Sequence, residues 1–523
     1  LQARELGVSL APLRSLRALR PVPGRVRLEG TSLTIRRDGD GQLDIHGWRF
    51  GGRGSAVLDW ERYLAGLDRM EIEDASLQWV DAQTGIHAGV RVDALGLRSD
   101  GDGLKAMAHG SLLPELGGAV NIGLEVPVSD PDRAEFFLQL DDLQLSHWIR
   151  FTDWSRELSG QTSIKLWGAT EGTRVVRIQG EHDTQVFTTD AGGPRVDSIA
   201  HRFHWRRDAR EALARWTALR PGSGDARIEY RLAPEAGTDP VVQQVRGAFG
   251  AVDIGRYARI LATARPPWMP GIESLAELDP DGRIESLDLV LANENGALDL
   301  REAGTTLRDL GWQPVGAFPG ARGVDASVQW VEGIGHMVLQ GNGIGLNLPQ
   351  WFGHELWIDR LDTELRFQRA TGGGWKADLA RVALENEDLA LDGRGTLDLG
   401  PEPNLDLALR FLRGDGSRVS HYLPDQRLPP KTYRWLSESI RAGSVVEGGM
   451  VLRGDPREFP FAERQGLFDL RAVIAAGELD YHPGWPPARE LSGTLGFRNA
   501  ALEIEDASGR LLDSRVADAR VWI

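Results

Sequence analysis

His201 and His204, with Trp205 beside them, form the spacing in this chain that first suggests a metal site. Residues three apart on a strand point to opposite faces, so the two rings could not close on one ion there. His354-Glu355 opens like the helical zinc motif, but Ile358 stands where the second histidine belongs. None of the four lysines, Lys105, Lys165, Lys376 and Lys431, follows a glycine, so the phosphate-cradling Gly-Lys loop is missing. No serine sits in a Gly-x-Ser-x-Gly elbow, and a chain without cysteine has no thiolate ligand, thiol nucleophile or disulfide. The turns at Asp38 and Asp102 resemble pieces of calcium loops without the later bidentate glutamate, and read as hairpin turns. Glu71 and Glu73, like Glu503 and Glu505, share a strand face and alternate with Ile72 and Ile504. That is the pattern of a wet sheet face rather than of an acid and base pair. The expectation is a protein with no catalytic residue, no cofactor and no metal.

The elements that would carry such residues are strands. Apolar residues recur at every second position between turns of Gly, Asp and Asn. Val120, Ile122, Leu124, Val126 and Val128 form one such run, and Leu287, Leu289 and Leu291 another. Leu361, Leu365 and Phe367 share a face opposite Asp362, Glu364 and Arg366, and Leu405, Leu407, Leu409 and Phe411 alternate with Asp406, Ala408 and Arg410. Period two with one apolar and one polar face marks antiparallel strands. Asp38-Gly39-Asp40-Gly41, residues 99–103 (SDGDG) and Asn293-Glu294-Asn295-Gly296 supply residues that tolerate the positive φ of tight hairpins. Helical periodicity is confined to Ala56 to Leu67, to Asp253 to Ala264 with Asp253 as N-cap, and to Lys431 to Arg441, ended by Gly443. Shorter turns are expected at Leu145 to Phe151 and Ser417 to Tyr422. A unit of strand, Asp-rich turn and short helix recurs near 139–151, 248–264 and 409–423.

The chain has 523 residues and a net charge of -16, from 76 acidic and 60 basic side chains. That balance argues against nucleic acid as a partner, because phosphate binding needs a concentrated basic excess. No run of 18 apolar residues exists, and Ala472 to Ala476 is far too short to span a bilayer. The start at Leu1 and the strand-like end at Val521-Trp522-Ile523 suggest a piece of something longer, with any membrane anchor outside it. Roughly twenty-five strands, each with one apolar face, must hide those faces, and the few helices cannot cover them. Two sheets could pack together, one could close, or one could curl into a trough whose apolar floor accepts a ligand. The 17 tryptophans, among them Trp48, Trp79, Trp330, Trp351, Trp357, Trp435 and Trp485, are scattered. They suit core or rim positions, carbohydrate platforms, or the edge of a lipid groove.

Residues 421–497 carry Tyr422-Leu423-Pro424, Leu428-Pro429, Trp435-Leu436, Leu452-Arg453-Gly454-Asp455-Pro456, Phe459-Pro460-Phe461, Leu479-Asp480-Tyr481 and Pro483-Gly484-Trp485-Pro486 in that order. This stretch closely resembles the YhdP family of AsmA-like envelope proteins, relatives of TamB. Arg20-Pro21-Val22-Pro23-Gly24, leading into VRLEGTSLTIRRDGDG, resembles the family's membrane-proximal region. The resemblance implies a mainly β fold, an elongated and curled antiparallel sheet forming an open apolar groove with a few short amphipathic helices. It also implies bridge-like transport of phospholipids between inner and outer membrane, acyl chains shielded in the groove. Residues 1–140 would be the membrane-proximal segment without its anchor helix, 141–412 the middle of the groove, and 413–523 the signature segment. Location in the periplasm, an inner-membrane anchor and outer-membrane or periplasmic protein partners are implied in the same way. The groove-lining candidates are Val120, Ile122, Leu124, Val126, Leu287, Leu289, Leu291, Leu361, Leu365, Phe367, Leu405, Leu407, Leu409 and Phe411. Two rival readings are a structural or adhesive β-sandwich array without a ligand groove, and a polysaccharide-active enzyme using paired carboxyls.

Overall fold

A computed structural model describes residues 4–19, 21–38, 43–45, 48–50, 68–82, 86–100, 102–149, 158–172, 174–190, 193–208, 210–233, 241–266, 274–294, 296–316, 318–370, 373–461, 463, 465–499 and 501–522. The fold is mainly β, with 29 strands and a few short helices among these residues. The chain divides into two compact units. The first holds Leu1–Val245 with Arg256–Ser274, and the second Arg246–Gly255 with Leu275–Ile523.

In the first unit the long strand Arg69–Asp81 pairs in parallel with both Pro23–Glu29 and Ser32–Arg37. From Arg69–Asp81 onward each strand pairs antiparallel with the next, through Ile86–Asp100, Gly103–Leu112, Ala119–Pro127 and Arg133–Gln144 to Ser223–Ala233. The second unit is one antiparallel meander from Asp281–Glu294 to Ser514–Trp522. Hairpins of this kind need only local turns, and the turn residues supply them. Asp100 pairs with Gly103 and Glu294 with Ala297. Gly296 takes φ +90° and its N–H donates to the Asn293 side chain.

The strands are not regular, and their irregularities preserve one apolar face. Residues at positive φ sit inside strands at Asp74, Asp142, Asp309, Ala476, Glu490, Asp506 and Asp518. Each extra residue shifts the alternation by one, so that Leu140 is followed on its face by Leu143, and Ile72 by Ala75. The hexapeptide Glu-Ile-Glu-Asp-Ala-Ser occurs at residues 71–76 and again at 503–508. Its aspartate takes φ +51° in the first copy and +50° in the second. Asp tolerates this conformation because its short side chain bonds locally.

Helices are few and short. Leu145–Trp148, Ile254–Ala264 and the 3-10 helix Gly416–Tyr422 each begin directly after a strand, as the recurrent unit anticipates. A further helix runs Pro430–Ser439 and passes straight into strand Ile440–Gly454. The expected stop at Gly443 is therefore corrected. Ile440 already turns extended at φ -85° and ψ 105°, and Gly443 lies within the strand beside a register shift. Helices Pro12–Ala18 and Ser274–Leu278 had no sequence expectation. The expected helix at 56–67 and most of the Asp38–Gly41 turn lie outside the described residues.

Candidate functional site

Strand pairing assembles the alternating residues into continuous transverse rows, since directly paired residues share a face. In the first unit one row runs Ile72, Leu95, Ala108, Ile122, Leu138, Leu166, Gly180, Phe203, Trp216 and Ala226. The row beside it runs from Met70 and Leu97 through Leu124, Phe136 and Ile178 to Ile228. The second unit repeats this. Leu287, Thr305, Val328, Met337, Leu365, Leu379, Gly395, Leu407, Leu452 and Phe468 form one row. Leu289, Ala303, Trp330, Gly335, Phe367, Ala377, Leu397, Leu405 and Gly454 form the next.

Every lining candidate falls on such a face. Ile122 and Leu124 lie in the two rows of the first unit, Val120 in a third beside Gly110 and Leu140, and Val126 opposite Leu104 at the hairpin end. Leu287, Leu365 and Leu407 share one row, and Leu289, Phe367 and Leu405 another. Leu409 pairs with Met450, and Leu361 with Leu384, which leads through Leu391 to Phe411. Leu291 faces Leu300. The two sets belong to different units.

Most of these side chains are half-buried rather than buried, and Ile122 and Leu124 expose 46% and 38% of their surface. Leu361 is different: it packs against a closed cluster of Ala321, Val324, Ile344 and Ile358. Glycine lets aromatic rings lie flat on the floor. A Cβ at Gly335 would meet the Phe367 ring at 2.2 Å, and one at Gly168 would meet Phe136 at 2.2 Å. Trp330, Phe367 and Trp375 form a triad, with the two indole centroids 5.9 Å apart. Their strands are three steps apart, about 14 Å in a flat sheet. The rings therefore lean together across Gly335, on which Phe367 lies.

The opposite face carries an array of cross-strand ion pairs, Lys105–Glu125, Arg202–Glu181, Arg410–Asp392 and Arg453–Asp406, and in the first unit also the paired apolar residues Met107, Phe137 and Trp167. Exposed pairs contribute little to stability, but they oppose a register slip that would turn the apolar face outward. The carboxylate pairs singled out in the sequence belong to this array. Glu71 meets Arg69, Glu73 meets Arg27, and Glu503 and Glu505 both meet Arg520.

At one end of the first unit the apolar face becomes polar. His182 and His201 are direct partners on it, while His204 points the other way, as period two requires. His201 Nε2 lies 2.8 Å and 3.0 Å from the carbonyl oxygens of Ser223 and Gly224, so it carries hydrogen. With both rings uncharged, His182 Nε2–H then donates to His201 Nδ1 at 3.0 Å. Thr184 donates to His182 Nδ1 at 3.1 Å, and Thr162 to Thr184 at 2.7 Å. Helix Ile254–Ala264 closes this end: the Tyr257 hydroxyl donates to the Ser223 carbonyl, and Arg259 grips Asp197 through two hydrogen bonds of 2.9 Å and 2.8 Å. Ile260 and Ala264 of that helix pack with Leu145, Ile149, Leu158 and Val186. Sequence spacing could not have found this ladder, because its members come from five separate segments.

Burial, with the charge of His201 added, pushes His182 down to about 4. The unfolded chain, with an ordinary histidine, takes up this proton first as pH falls below about 6.5. The contribution of His182 is thus fully present above that pH and drains away towards pH 4. The expected loss is about 1–2 kcal/mol, after allowance for partial exposure. It is read as a steeper fall in melting temperature between pH 7 and 4.5 for the wild type than for His182→Gln. Equal slopes would show that the ladder is not coupled to folding.

Among the described residues no helix is long and apolar enough to cross a membrane. The family described as YhdP protein matches the chain over residues 1–523. A curated relative, the intermembrane phospholipid transporter YhdP of Escherichia coli (strain K12), is 27% identical over 101 residues, which is 19% of this chain and 8% of that protein. No solved structure matches. With its apolar rows, its signature segment and a match along its whole length, the chain belongs to the YhdP protein family.

Proposed function

We propose that this chain carries phospholipids between the two membranes of the envelope, with acyl chains on the apolar face and head groups in water. The observation that carries this reading is the state of the apolar rows. They are continuous across each unit, yet most of their side chains are only half-buried. A face of this kind in water needs an apolar cover. The relative's name identifies phospholipid as the cargo of that protein, and extended acyl chains suit rows of this chemistry.

The mechanism is one of solvent exchange. An acyl chain leaving a bilayer exposes methylenes at about 0.8 kcal/mol each, so an unassisted aqueous crossing is slow. Rows of Leu, Ile, Val and Phe offer a near-level path, along which each methylene leaves one apolar contact for the next. No bond is made or broken. The Val120, Ile122, Leu124 and Val126 set would line the path in the first unit. The Leu287–Leu291, Leu361–Phe367 and Leu405–Phe411 sets would line it in the second. In the whole protein this reading places the chain in the periplasm, held to the inner membrane by a segment outside these residues.

Native mass spectrometry of the purified chain tests the reading. Adducts at phospholipid masses, restored by phospholipid after delipidation, are the expected result. A chain that stays free of lipid in both conditions would point instead to a self-packed β array.

A further inference from the structure

The first unit carries an exposed apolar surface where its rows end at the strand Glu5–Leu10. Helix Pro12–Ala18 follows the strand Glu5–Leu10. Ser15 turns inward, where its hydroxyl accepts from the Val22 N–H at 2.9 Å. Leu13, Leu16 and the left-handed Leu19 turn outward and expose 84%, 76% and 92% of their surface. Leu6 and Val8 of the preceding strand extend the rows of Ile72 and Met70 through Leu28 and Val26, and with Leu10 they are exposed. Arg14 and Arg17 alternate with the leucines along the helix. Beneath the helix lies a cavity of about 610 Å³, walled by Leu10 and Leu13 and by Arg14, Arg25, Arg69 and Arg98, with Asp68 the one acidic residue among its lining residues. Arg14 is paired with Asp68 and Arg69 with Glu71, and four arginines against one aspartate give the lining a basic composition.

This local sign opposes the -16 net charge of the whole chain. Large exposed leucines interleaved with arginines, above a cation-lined cavity, match the interface of a bilayer with anionic head groups. Leucines would enter the acyl boundary, and the arginines would meet phosphate, which guanidinium recognises well. We propose that the arm formed by residues 5–19 docks on the surface of an anionic bilayer, with one lipid phosphate held in the arginine-lined cavity. The proposal rests on the lipid-carrying reading above for its purpose, but not for its measurement.

Flotation with phosphatidylcholine vesicles, with and without phosphatidylglycerol, tests it on the full chain. Binding to the anionic vesicles that weakens with salt is expected. Leu13→Glu with Leu16→Glu should lower it at least tenfold, and Arg17→Glu with Arg25→Glu roughly fivefold for each arginine reversed. All four positions lie at the surface, and unchanged melting temperatures would show that the variants fold. Adducts at phospholipid masses, read on the same variants, should persist, so a failure of docking and a failure of lipid carriage are told apart. Equal binding to neutral vesicles, or variants that bind like the wild type, would overturn the proposal. So would self-association that disappears in the leucine variant, which would assign the surface to a second copy of the chain.

Discussion

Leu289→Asp with Leu407→Asp should remove most bound phospholipid, by roughly a hundredfold in affinity at the second unit. The two positions lie in neighbouring rows of one apolar face. A carboxylate there keeps its hydration shell, and an acyl chain crossing it must leave a stretch of methylenes in water. Four lost methylene contacts amount to about 3 kcal/mol, close to two decades in binding. Half-buried positions accept the charge without a buried, unpaired carboxylate, so the sheet should still form. Arg410→Ala, on the ion-paired face beside the same rows, should leave the lipid in place. Lipid content is read by mass, and folding by circular dichroism. A folded double variant with a full lipid complement would remove these rows from the path.

Arg259→Ala should destabilise the first unit by about 3–5 kcal/mol, because it leaves a buried carboxylate without its partner. Arg259 and Asp197 keep 15% and 6% of their side-chain surface. Burial alone would raise the Asp197 carboxyl, but hydrogen bonds from Arg259 and Thr188 and the guanidinium charge outweigh it and hold it below the usual range. Its contribution is present above the ordinary carboxylate pKa and is lost as pH falls through the lowered one. The gap between wild type and variant should accordingly be wide at pH 7 and shrink in strong acid. Asp197→Asn added to Arg259→Ala should recover part of the loss, since an amide costs less to bury than an unpaired charge. Thermal unfolding measures all three. A variant that melts like the wild type would show that helix Ile254–Ala264 does not clamp the sheet end.

What the sequence made legible follows the range of the physics involved. Alternation is local, so Leu405, Leu407, Leu409 and Phe411 declare their common face within seven residues. The strand-to-helix units were visible at Asp142, Asp253 and Asp415, where polar residues end an apolar run. The bulges were not visible. Asp74 and Asp506 take positive φ because a paired strand fixes the register on both sides, and an isolated Asp in a strand carries no such information. His182 and His201 lie 19 residues apart, so their meeting depends on hairpin register. Helix Pro12–Ala18 escaped notice because it is short and its leucines turn outward, where no buried stripe marks them.

The most direct test is photo-crosslinking in cells, with a photoreactive residue placed in turn at Leu138, Gln139, Leu365 and Arg366. Leu138 and Leu365 lie in the apolar rows, and Gln139 and Arg366 follow them on the opposite face. Phospholipid adducts at 138 and 365, with none at 139 and 366, are expected if acyl chains travel along the apolar rows. Adducts on both faces alike, or on neither, would contradict it.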